Sequence, residues 1–474
     1  MSSSRTPAQT NTSDLISARM DRIPRLTRSH IRALVILIAL FIFDLIDIGT
    51  LATVAPAIRA QWGLSIEALG VLTSTTFVGM AIGAMVGGRV ADRIGRRPTL
   101  ITAVFIFSVG SLLSALATGP EFLGIARMVT GVGIGATSGG IFVMISEMFP
   151  KPLRGRMMAM TYGIAGLSGP AMSFLALLVM PTGNWHIIFL VGSGGFVFAL
   201  LALKFLPESP RWLATRGQGE RADAQMRVFE AEYESRHGAL PEPVVMDAQP
   251  AARGAFSDLF RRSVVGRTIV ASFLFLMATV LNYGLIAWFP VVLIERGYPT
   301  QEAYSFLFVM SFATVLGALL SSTIIDRFER KWVITIAAVV LAVCYLVIGF
   351  VDSVPVLLTV GFAASFIHNG ITTTVFAYMP EIFPVAIRGQ GTGFANGIGR
   401  LGGIVNSLLI GVIIAAFATE GLFVYLAANC IAMSIGAVFG PRMGIREARR
   451  ALLRERADEA AAAPVGALTP VRAE

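Results

Sequence analysis

Apolar runs of roughly 20 residues, each long enough to span a bilayer as a helix, alternate with short polar segments along most of the chain. This pattern predicts an all-α membrane protein with twelve spanning helices. The spans are predicted near 32–57, 66–88, 99–118, 122–146, 157–179, 185–205, 268–294, 304–325, 332–351, 354–380, 391–416 and 421–440.

Longer polar segments divide the chain into five parts. These are a tail (1–31), a first six-helix bundle (32–207), a linker loop (208–266), a second six-helix bundle (267–440) and a second tail (441–474). Two stretches rich in Arg, Glu and Ala, 221–236 in the linker and 447–463 in the second tail, are predicted surface helices.

The composition fits a lipid environment, since only 14% of the residues are charged, whereas soluble proteins carry about 25%. The net charge of +9 would favour a nucleic-acid partner, but the basic residues lie between the apolar runs. Cys344 and Cys430 lie inside apolar runs and give neither a disulfide framework nor a metal site. No nucleophile–base spacing or phosphate loop occurs, so we expect no enzyme, cofactor, metal site or nucleic-acid partner.

The basic residues of the short loops divide unevenly between the two sides of the predicted bundle. Eleven lie on one side, and two, Arg59 and Arg296, lie on the other. Because cytoplasmic loops carry an excess of Lys and Arg, the basic side and both tails are predicted to be cytoplasmic. The first apolar run exceeds a signal-peptide core and shows no cleavage site. We therefore expect a multi-pass protein of the inner (plasma) membrane, and a monomer.

An internal repeat relates the two bundles. The spacing Glu147, Pro150, Arg154 recurs 234 residues later as Glu381, Pro384, Arg388, and the pair Asp92-Arg93 recurs at the same offset as Asp326-Arg327. Two motifs at one offset predict two pseudo-symmetric halves that arose by duplication. Transporters built in this way bind their substrate between the halves, near mid-membrane.

The repeated charges are candidates for gating. Asp92 can accept hydrogen bonds from a helix N-terminus or pair with an arginine. Glu147 and Glu381 are expected to pair with Arg154, Arg388 or the basic loops when the cytoplasmic side closes, and to separate when it opens. Ordinary surface ion pairs are the alternative. The gating candidates are Asp92, Arg93, Glu147, Arg154, Asp326, Arg327, Glu381 and Arg388.

The first span contains two acids, Asp44 and Asp47, three residues apart on one helix face. An acid inside a membrane costs at least about 2.5 kcal/mol and suggests function. Two close carboxylates repel each other, so one of them is expected to hold a proton. We predict that Asp47, helped by Asp44, couples transport to protons; a structural pair satisfied by span 4 or 11 is the alternative.

Arg127 in the fourth span lies within reach of Asp47. It either neutralises Asp47 or binds an anionic substrate, and protonation of Asp47 would switch between these roles. The alternative is that Arg127 and Asp47 form a fixed ion pair with a purely structural role. Gly131 and Gly135 on the same helix permit close approach of a neighbouring helix.

The second half contributes further polar and aromatic candidates. Arg400 is a cation with few acids nearby in sequence, for which a substrate carboxylate is a natural partner. His368 titrates near neutrality, although a lone buried histidine is often a satisfied core residue. The predicted substrate-binding residues are Arg127, Asn282, Tyr283, Trp288, His368, Asn369 and Arg400.

Three motifs carry a resemblance to known transporters. Residues 88–97 (GRVADRIGRR) resemble the signature loop of the major facilitator superfamily. The repeated Glu-x-x-Pro-x-x-x-Arg-Gly motif and residues 207–213 (PESPRWL) resemble its sugar-porter-like branch. Nearly the whole chain looks like bacterial metabolite:proton symporters, above all niacin and aromatic-acid transporters. The acid-x-x-acid pair of the first span is their hallmark, although Leu45 stands where the aromatic-acid branch usually has glycine.

The resemblance implies the major facilitator fold and uptake of a small organic acid, with an aromatic or heteroaromatic carboxylate favoured, together with a proton. Arg127 and Arg400 would hold the carboxylate, and aromatic residues of the seventh span would pack against its ring. Proton-antiport export of drugs or cationic metabolites is the alternative. The Gly169-Pro170 step resembles part of a drug-antiporter signature, but its flanking glycines are missing.

Overall fold

Long apolar helices form the described chain, which comprises residues 12–243, 255–325 and 327–442 of the computed structural model. Within these ranges, eleven helices are long and apolar enough to cross a membrane. The last of them contains two spans, so the predicted count of twelve and the predicted all-α membrane fold are confirmed.

The first half follows a short amphipathic helix at the start of the described chain. Its fifth span divides into α6 and α7, and its sixth into α8 and α9. The helices are α1 (Thr12–Asp21), α2 (Arg28–Trp62), α3 (Ile66–Ile94), α4 (Arg96–Ala115), α5 (Pro120–Met148), α6 (Lys151–Ala165), α7 (Ser168–Val179), α8 (His186–Gly192) and α9 (Gly195–Phe205).

Two linker helices precede the second half. The helices are α10 (Pro210–Thr215), α11 (Gly219–His237), α12 (Val265–Glu295), α13 (Thr300–Ile325), α14 (Arg330–Phe350), α15 (Val354–Ile382) and α16 (Arg388–Val438). Helix α16 contains the two spans predicted at 391–416 and 421–440. They meet at Phe417 and Ala418, whose backbone is not helical, and Ala418 adopts a positive φ of 54°.

Several spans begin earlier than their hydropathy indicates, because their first turns consist of polar residues that precede the apolar run. Helix α2 starts at Arg28, four residues before the predicted position. The Thr27 hydroxyl accepts from the His30 backbone N–H at 3.3 Å, and the His30 ring accepts from the Thr27 N–H at 3.3 Å. This reciprocal capping box satisfies the first backbone donors of the helix.

The sequence repeat is also a repeat of helix packing. A Cβ added to Gly83 of α3 would overlap the carbonyl oxygen of Val132 in α5. A Cβ added to Gly317 of α13 would likewise overlap the carbonyl oxygen of Phe366 in α15. Both glycine–carbonyl pairs lie 234 residues apart (83 to 317 and 132 to 366), so the two halves share the same close helix contact.

Adding one methyl group at this contact should destabilise the protein. We expect Gly83→Ala to lower the free energy of unfolding by about 1–3 kcal/mol, because neither backbone can move without separating α3 from α5. The matched control is Gly88→Ala in the same helix, where an added Cβ meets no atom within 4 Å. Thermal unfolding of both purified variants tests the contact, and equal stability would contradict it.

The linker helix α11 confirms the predicted surface helix at 221–236, and it buries one face through Ala222, Met226 and Phe229. The predicted helix at 447–463 lies outside the described residues. Helix α1, which falls in the predicted first tail, packs against α10 and α11.

Ion pairs attach α1 to α11. Glu230 accepts from Arg19 at 2.6 Å and from Arg22 at 2.7 Å, and Arg19 also pairs with Asp223. Burial alone would raise the pKa of Glu230, but hydrogen bonds from the two arginines hold that pKa below its usual value. The contact therefore stabilises the ionised form of Glu230.

The two halves meet at the end of the bundle opposite the basic loops. There Gly70 of α3 lies so close to α16 that an added Cβ would stand 2.7 Å from the Ser407 carbonyl oxygen. Arg59 pairs with Glu295 across the halves, and the Tyr304 hydroxyl donates to the Thr53 carbonyl. We call this the closed end, and the end that carries the basic loops 88–97 and 151–156 the basic end.

Candidate functional site

Three adjoining cavities lie between the halves and extend from the middle of the bundle to the basic end. The central cavity has a volume of about 300 Å³, and the intermediate cavity about 310 Å³. They share lining residues from both halves, among them Phe77 and Tyr283. The third, of about 720 Å³, shares Arg400 with the intermediate cavity and reaches Asp92 in the signature loop.

Asp44 lines the intermediate cavity from the first half. Its carboxylate Oδ2 accepts a hydrogen bond from the Ser138 hydroxyl of α5 at 3.1 Å. The other oxygen, Oδ1, is buried and makes no hydrogen bond within the described chain. A buried charge is costly unless it is paired, so this carboxylate can take up a proton or face a cationic partner.

Arg400 lines the same cavity from the second half, on α16. The side chain is half-buried, and its Nη1 is buried without a hydrogen-bond partner in the described ranges. A guanidinium presents paired N–H donors that match a carboxylate. The intermediate cavity therefore contains an acid from one half and an anion-binding group from the other.

Asp47 and Arg127 form a sealed ion pair beside these cavities. Arg127 Nη1 donates to Asp47 Oδ1 at 2.7 Å, and Nη2 donates to the Asp47 carbonyl at 3.1 Å. Both side chains have no exposed surface, and the guanidinium lies 5.5 Å from the centre of the Phe189 ring. Neither residue is among those that line the three cavities. The contact that the sequence predicted between the side chains of Arg127 and Asp47 is thus present, but it lies outside the cavities.

The predicted residues of the second half occupy different positions. Asn282, Tyr283 and Asn369 line the central cavity. His368 is buried behind it, with Nε2 placed 3.3 Å from the Asn282 Oδ1. Trp288 is buried in the core and does not line any of the three cavities. Two of the six second-half candidates thus lie behind the cavity walls.

Two ion pairs at the basic end repeat at the offset of the motifs. Arg96 of α4 binds Glu147 of α5 at 3.1 Å, and Arg330 of α14 binds Glu381 of α15. Each partner lies 234 residues from its counterpart (96 to 330 and 147 to 381). The first pair lies within the first half and the second pair within the second half. Both are formed in a conformation in which a cavity reaches the basic end.

The other gating candidates have separate surroundings. Arg154 binds Asp21 of α1 at 2.9 Å rather than Glu147. The Asp92 side chain is 70% exposed and binds Arg96 at 2.7 Å. Arg93, Arg327 and Arg388 are exposed, and Asp326 lies outside the described residues.

Sequence reasoning missed several residues that line the cavities. Ser138, which binds Asp44, follows Arg127 by eleven residues, or three helical turns, and so shares its face of α5. This spacing was a usable signal. The ring of Phe77 in the first half packs edge-on against the ring of Tyr283 in the second half, with 4.5 Å between the ring centres. Nothing in the sequence indicates this contact.

In the described ranges, no group of three His, Cys, Asp or Glu side chains could hold a metal ion.

Comparisons with known proteins agree with this architecture. The sequence model of a family described as "Sugar (and other) transporter" matches residues 33–442. YyaJ of Bacillus subtilis (strain 168), named as a metabolite transport protein, is 32% identical over 90% of this chain and 96% of its own length. The niacin transporter NiaP of Acinetobacter baylyi is 27% identical over 84% of this chain and 90% of its own length.

Solved structures resemble the described fold as well. The xylose transporter XylE from E. coli, in a partially occluded inward open conformation, superposes with a TM-score of 0.71 at 18% identity. The match covers 87% of this chain and 98% of XylE. At this identity, the likeness concerns the fold alone.

Proposed function

The chain belongs to the sugar (and other) transporters of the major facilitator superfamily, and we propose that it takes up a small aromatic carboxylate together with a proton. As a member of that family it is a membrane transporter of small molecules and not an enzyme. The observation that carries the proposal is the intermediate cavity, which holds Asp44 of one half and Arg400 of the other.

The charges of the cavity favour an anionic substrate. Arg400 has a buried donor without a partner, and a carboxylate that binds two N–H groups of one guanidinium forms a strong charge-assisted contact. A cationic substrate, as the export alternative requires, would meet Asp44 but would be repelled by Arg400 in the same cavity. The structure therefore supports uptake of an acid more than export of a cation.

The remaining lining favours a ring. Phe77, Tyr162 and Tyr283 border both the central and the intermediate cavity, and Asn282 and Asn369 add amide groups. Aromatic faces pack against flat apolar groups, while amides bind ring substituents. Niacin, named for NiaP, is such an aromatic carboxylate. We extend this class to the present chain as part of the proposal.

Proton coupling follows from the balance of charge. Asp44 and Arg400 line the intermediate cavity from opposite halves, and a cation in the same poorly solvated site favours the ionised form of an acid. A bound carboxylate neutralises Arg400 and adds a second negative charge near Asp44, and like charges in a poorly solvated site favour protonation of one carboxyl group. Asp44 would then take up a proton with the substrate. The sealed Asp47–Arg127 pair would position α2 against α5 instead of carrying the proton.

The described conformation has its cavities on the basic side, which we propose faces the cytoplasm, as do both tails. The ion pairs Arg96–Glu147 and Arg330–Glu381 would keep neighbouring helices together within each half. The halves could then rock as units, with contacts such as Gly70 against α16 separating when the closed end opens. In this proposal a single chain in the inner membrane suffices for transport.

Uptake into proteoliposomes tests the proposal. We expect initial rates of labelled nicotinate and benzoate uptake to rise when the outside is made acidic, and uptake of an organic cation to show no such rise. Rates in protein-free vesicles must be subtracted, because protonated aromatic acids cross bilayers unaided. Export of protons coupled to entry of the cation would instead establish antiport.

The Asp44→Asn variant tests the coupling step. It should abolish stimulation by outside acid while leaving exchange of labelled for unlabelled substrate intact, because exchange needs no net proton movement. Ser138→Ala, which removes a hydrogen bond to Asp44 but keeps the carboxylate, is the matched control and should stay acid-stimulated. If Asp44→Asn remains fully acid-stimulated, another group carries the proton.

A further inference from the structure

A fourth cavity, of about 630 Å³, lies at the basic end on the outer side of the first half, apart from the transport cavities. It is bordered by α4 and the end of α9, and by the linker helices α10 and α11. Arg97 and Arg221 line it, and the Arg97 Nη2 donates to the Leu203 carbonyl at the end of α9. The cavity is thus at the level where a spanning helix leaves the membrane.

Polar atoms in this cavity lack partners. The Arg97 Nε is a buried donor that makes no hydrogen bond within the described ranges, whereas the Gln225 Oε1, also unpartnered there, is an acceptor and does not itself bind an anion. Arg221 is exposed and donates to the Gln218 amide oxygen at 3.0 Å. Two guanidinium groups with spare donors form a binding site for an anion.

The carboxylate of Glu208 also lines the cavity, but its charge is already compensated. Its Oε1 accepts from the backbone N–H groups of Arg96 and Arg97, each at 3.0 Å, at the N-terminus of α4. Burial raises the pKa of Glu208 despite these hydrogen bonds. The two arginines therefore keep a net positive cavity.

The membrane-facing border is apolar. Ile94 and Leu203 both line the cavity, and their side chains are 54% and 49% exposed. Next to it, the Lys204 ammonium lies 5.3 Å from the centre of the Phe205 ring. Cations beside exposed apolar side chains at a membrane surface match a phospholipid, whose phosphate and acyl chains lie side by side.

We propose that this cavity binds the headgroup of an anionic phospholipid, with the phosphate between Arg97 and Arg221. The phosphate accepts from the free guanidinium donors, and the first carbons of the acyl chains cover Ile94 and Leu203. A bound lipid would connect the linker helices to the spans α4 and α9, so that the anionic lipid content of the membrane would stabilise the first half.

Lipid binding by native mass spectrometry tests the site, with phosphatidylglycerol against phosphatidylcholine. The variant Arg97→Gln/Arg221→Gln should bind phosphatidylglycerol about 30-fold more weakly, which corresponds to a loss of about 2 kcal/mol of binding free energy. This loss is shared about equally by the two basic residues, as expected for charges near an anionic membrane surface. The control variant Arg236→Gln/Arg262→Gln loses the same charge at exposed positions away from the cavity and should bind as the parent does.

Three outcomes would overturn the proposal. They are equal weakening in the control variant, equal binding of both lipids by the parent, and displacement of the lipid by millimolar inorganic phosphate, which would indicate a site for free phosphate. If the double variant does not fold, Arg221→Glu alone reverses one exposed charge and should also weaken phosphatidylglycerol binding. Unchanged binding in that variant would contradict the site.

Discussion

Replacing Arg127 by alanine should lower the free energy of unfolding by about 3–5 kcal/mol and abolish uptake, because it leaves the Asp47 carboxylate buried without its cation. Arg127 donates to both the side chain and the carbonyl of Asp47. Among the described residues, Thr50 alone would remain as a hydrogen-bond donor to the carboxylate, at 3.3 Å. Thermal and denaturant unfolding of the purified variant measure the loss of stability.

A double-mutant cycle separates the ion pair from simple loss of packing. Asp47→Asn alone leaves Arg127 uncompensated, and Arg127→Gln alone leaves Asp47 uncompensated, so each of these single variants should be less stable than the parent. The combination Asp47→Asn/Arg127→Gln contains no unpaired charge, so it should be more stable than either single variant. Strict additivity of the two losses would show that the pair is not coupled. The exposed Arg262 gives a control, as Arg262→Ala should change stability by less than about 0.5 kcal/mol.

The two acids of the first span show how far the sequence could predict the site. Their burial and the reach of Arg127 to Asp47 follow from hydropathy and helix geometry, and the structure has both. The sequence does not, however, predict that the two acids have different surroundings. Residues three apart point about 60° apart on a helix, so Asp44 lines the cavity while Asp47 faces Arg127 outside it, although both acids contact α5. That difference depends on how the halves are oriented, and the sequence does not specify it.

Long-range contacts set a second limit to sequence-based prediction. The repeat predicts two halves, since equal motifs at one offset require equal structures, and the packing of Gly83 and Gly317 agrees. In contrast, the attachment of α1 depends on Arg19 meeting Glu230, 211 residues away. Trp288 lies in an apolar helix, where every face looks alike in sequence, so its burial in the core could not be distinguished from a position in the cavity.

The Arg400 variants are expected to show the largest effect on substrate binding. Arg400→Gln should weaken binding of the substrate carboxylate by at least about 30-fold, or about 2 kcal/mol, since truncating one partner of a hydrogen-bonded charge pair costs this much or more. Arg400→Lys should fall between the parent and Arg400→Gln, because a lysine keeps the charge but lacks the planar fork of donors. Calorimetric titration with nicotinate and benzoate measures these affinities.

The unliganded variants decide whether Arg400 binds substrate or supports the fold. Its Nη1 has no hydrogen-bond partner in the described chain, so removing the guanidinium breaks no contact of that atom. Unfolding temperatures without ligand should therefore stay close to that of the parent, while the stabilisation by added nicotinate disappears in Arg400→Gln. A large loss of stability without ligand would give Arg400 a structural role. Unchanged nicotinate binding in Arg400→Gln would show that the substrate carboxylate binds elsewhere. It would also contradict the proposal that Asp44 takes up a proton when a substrate anion binds Arg400.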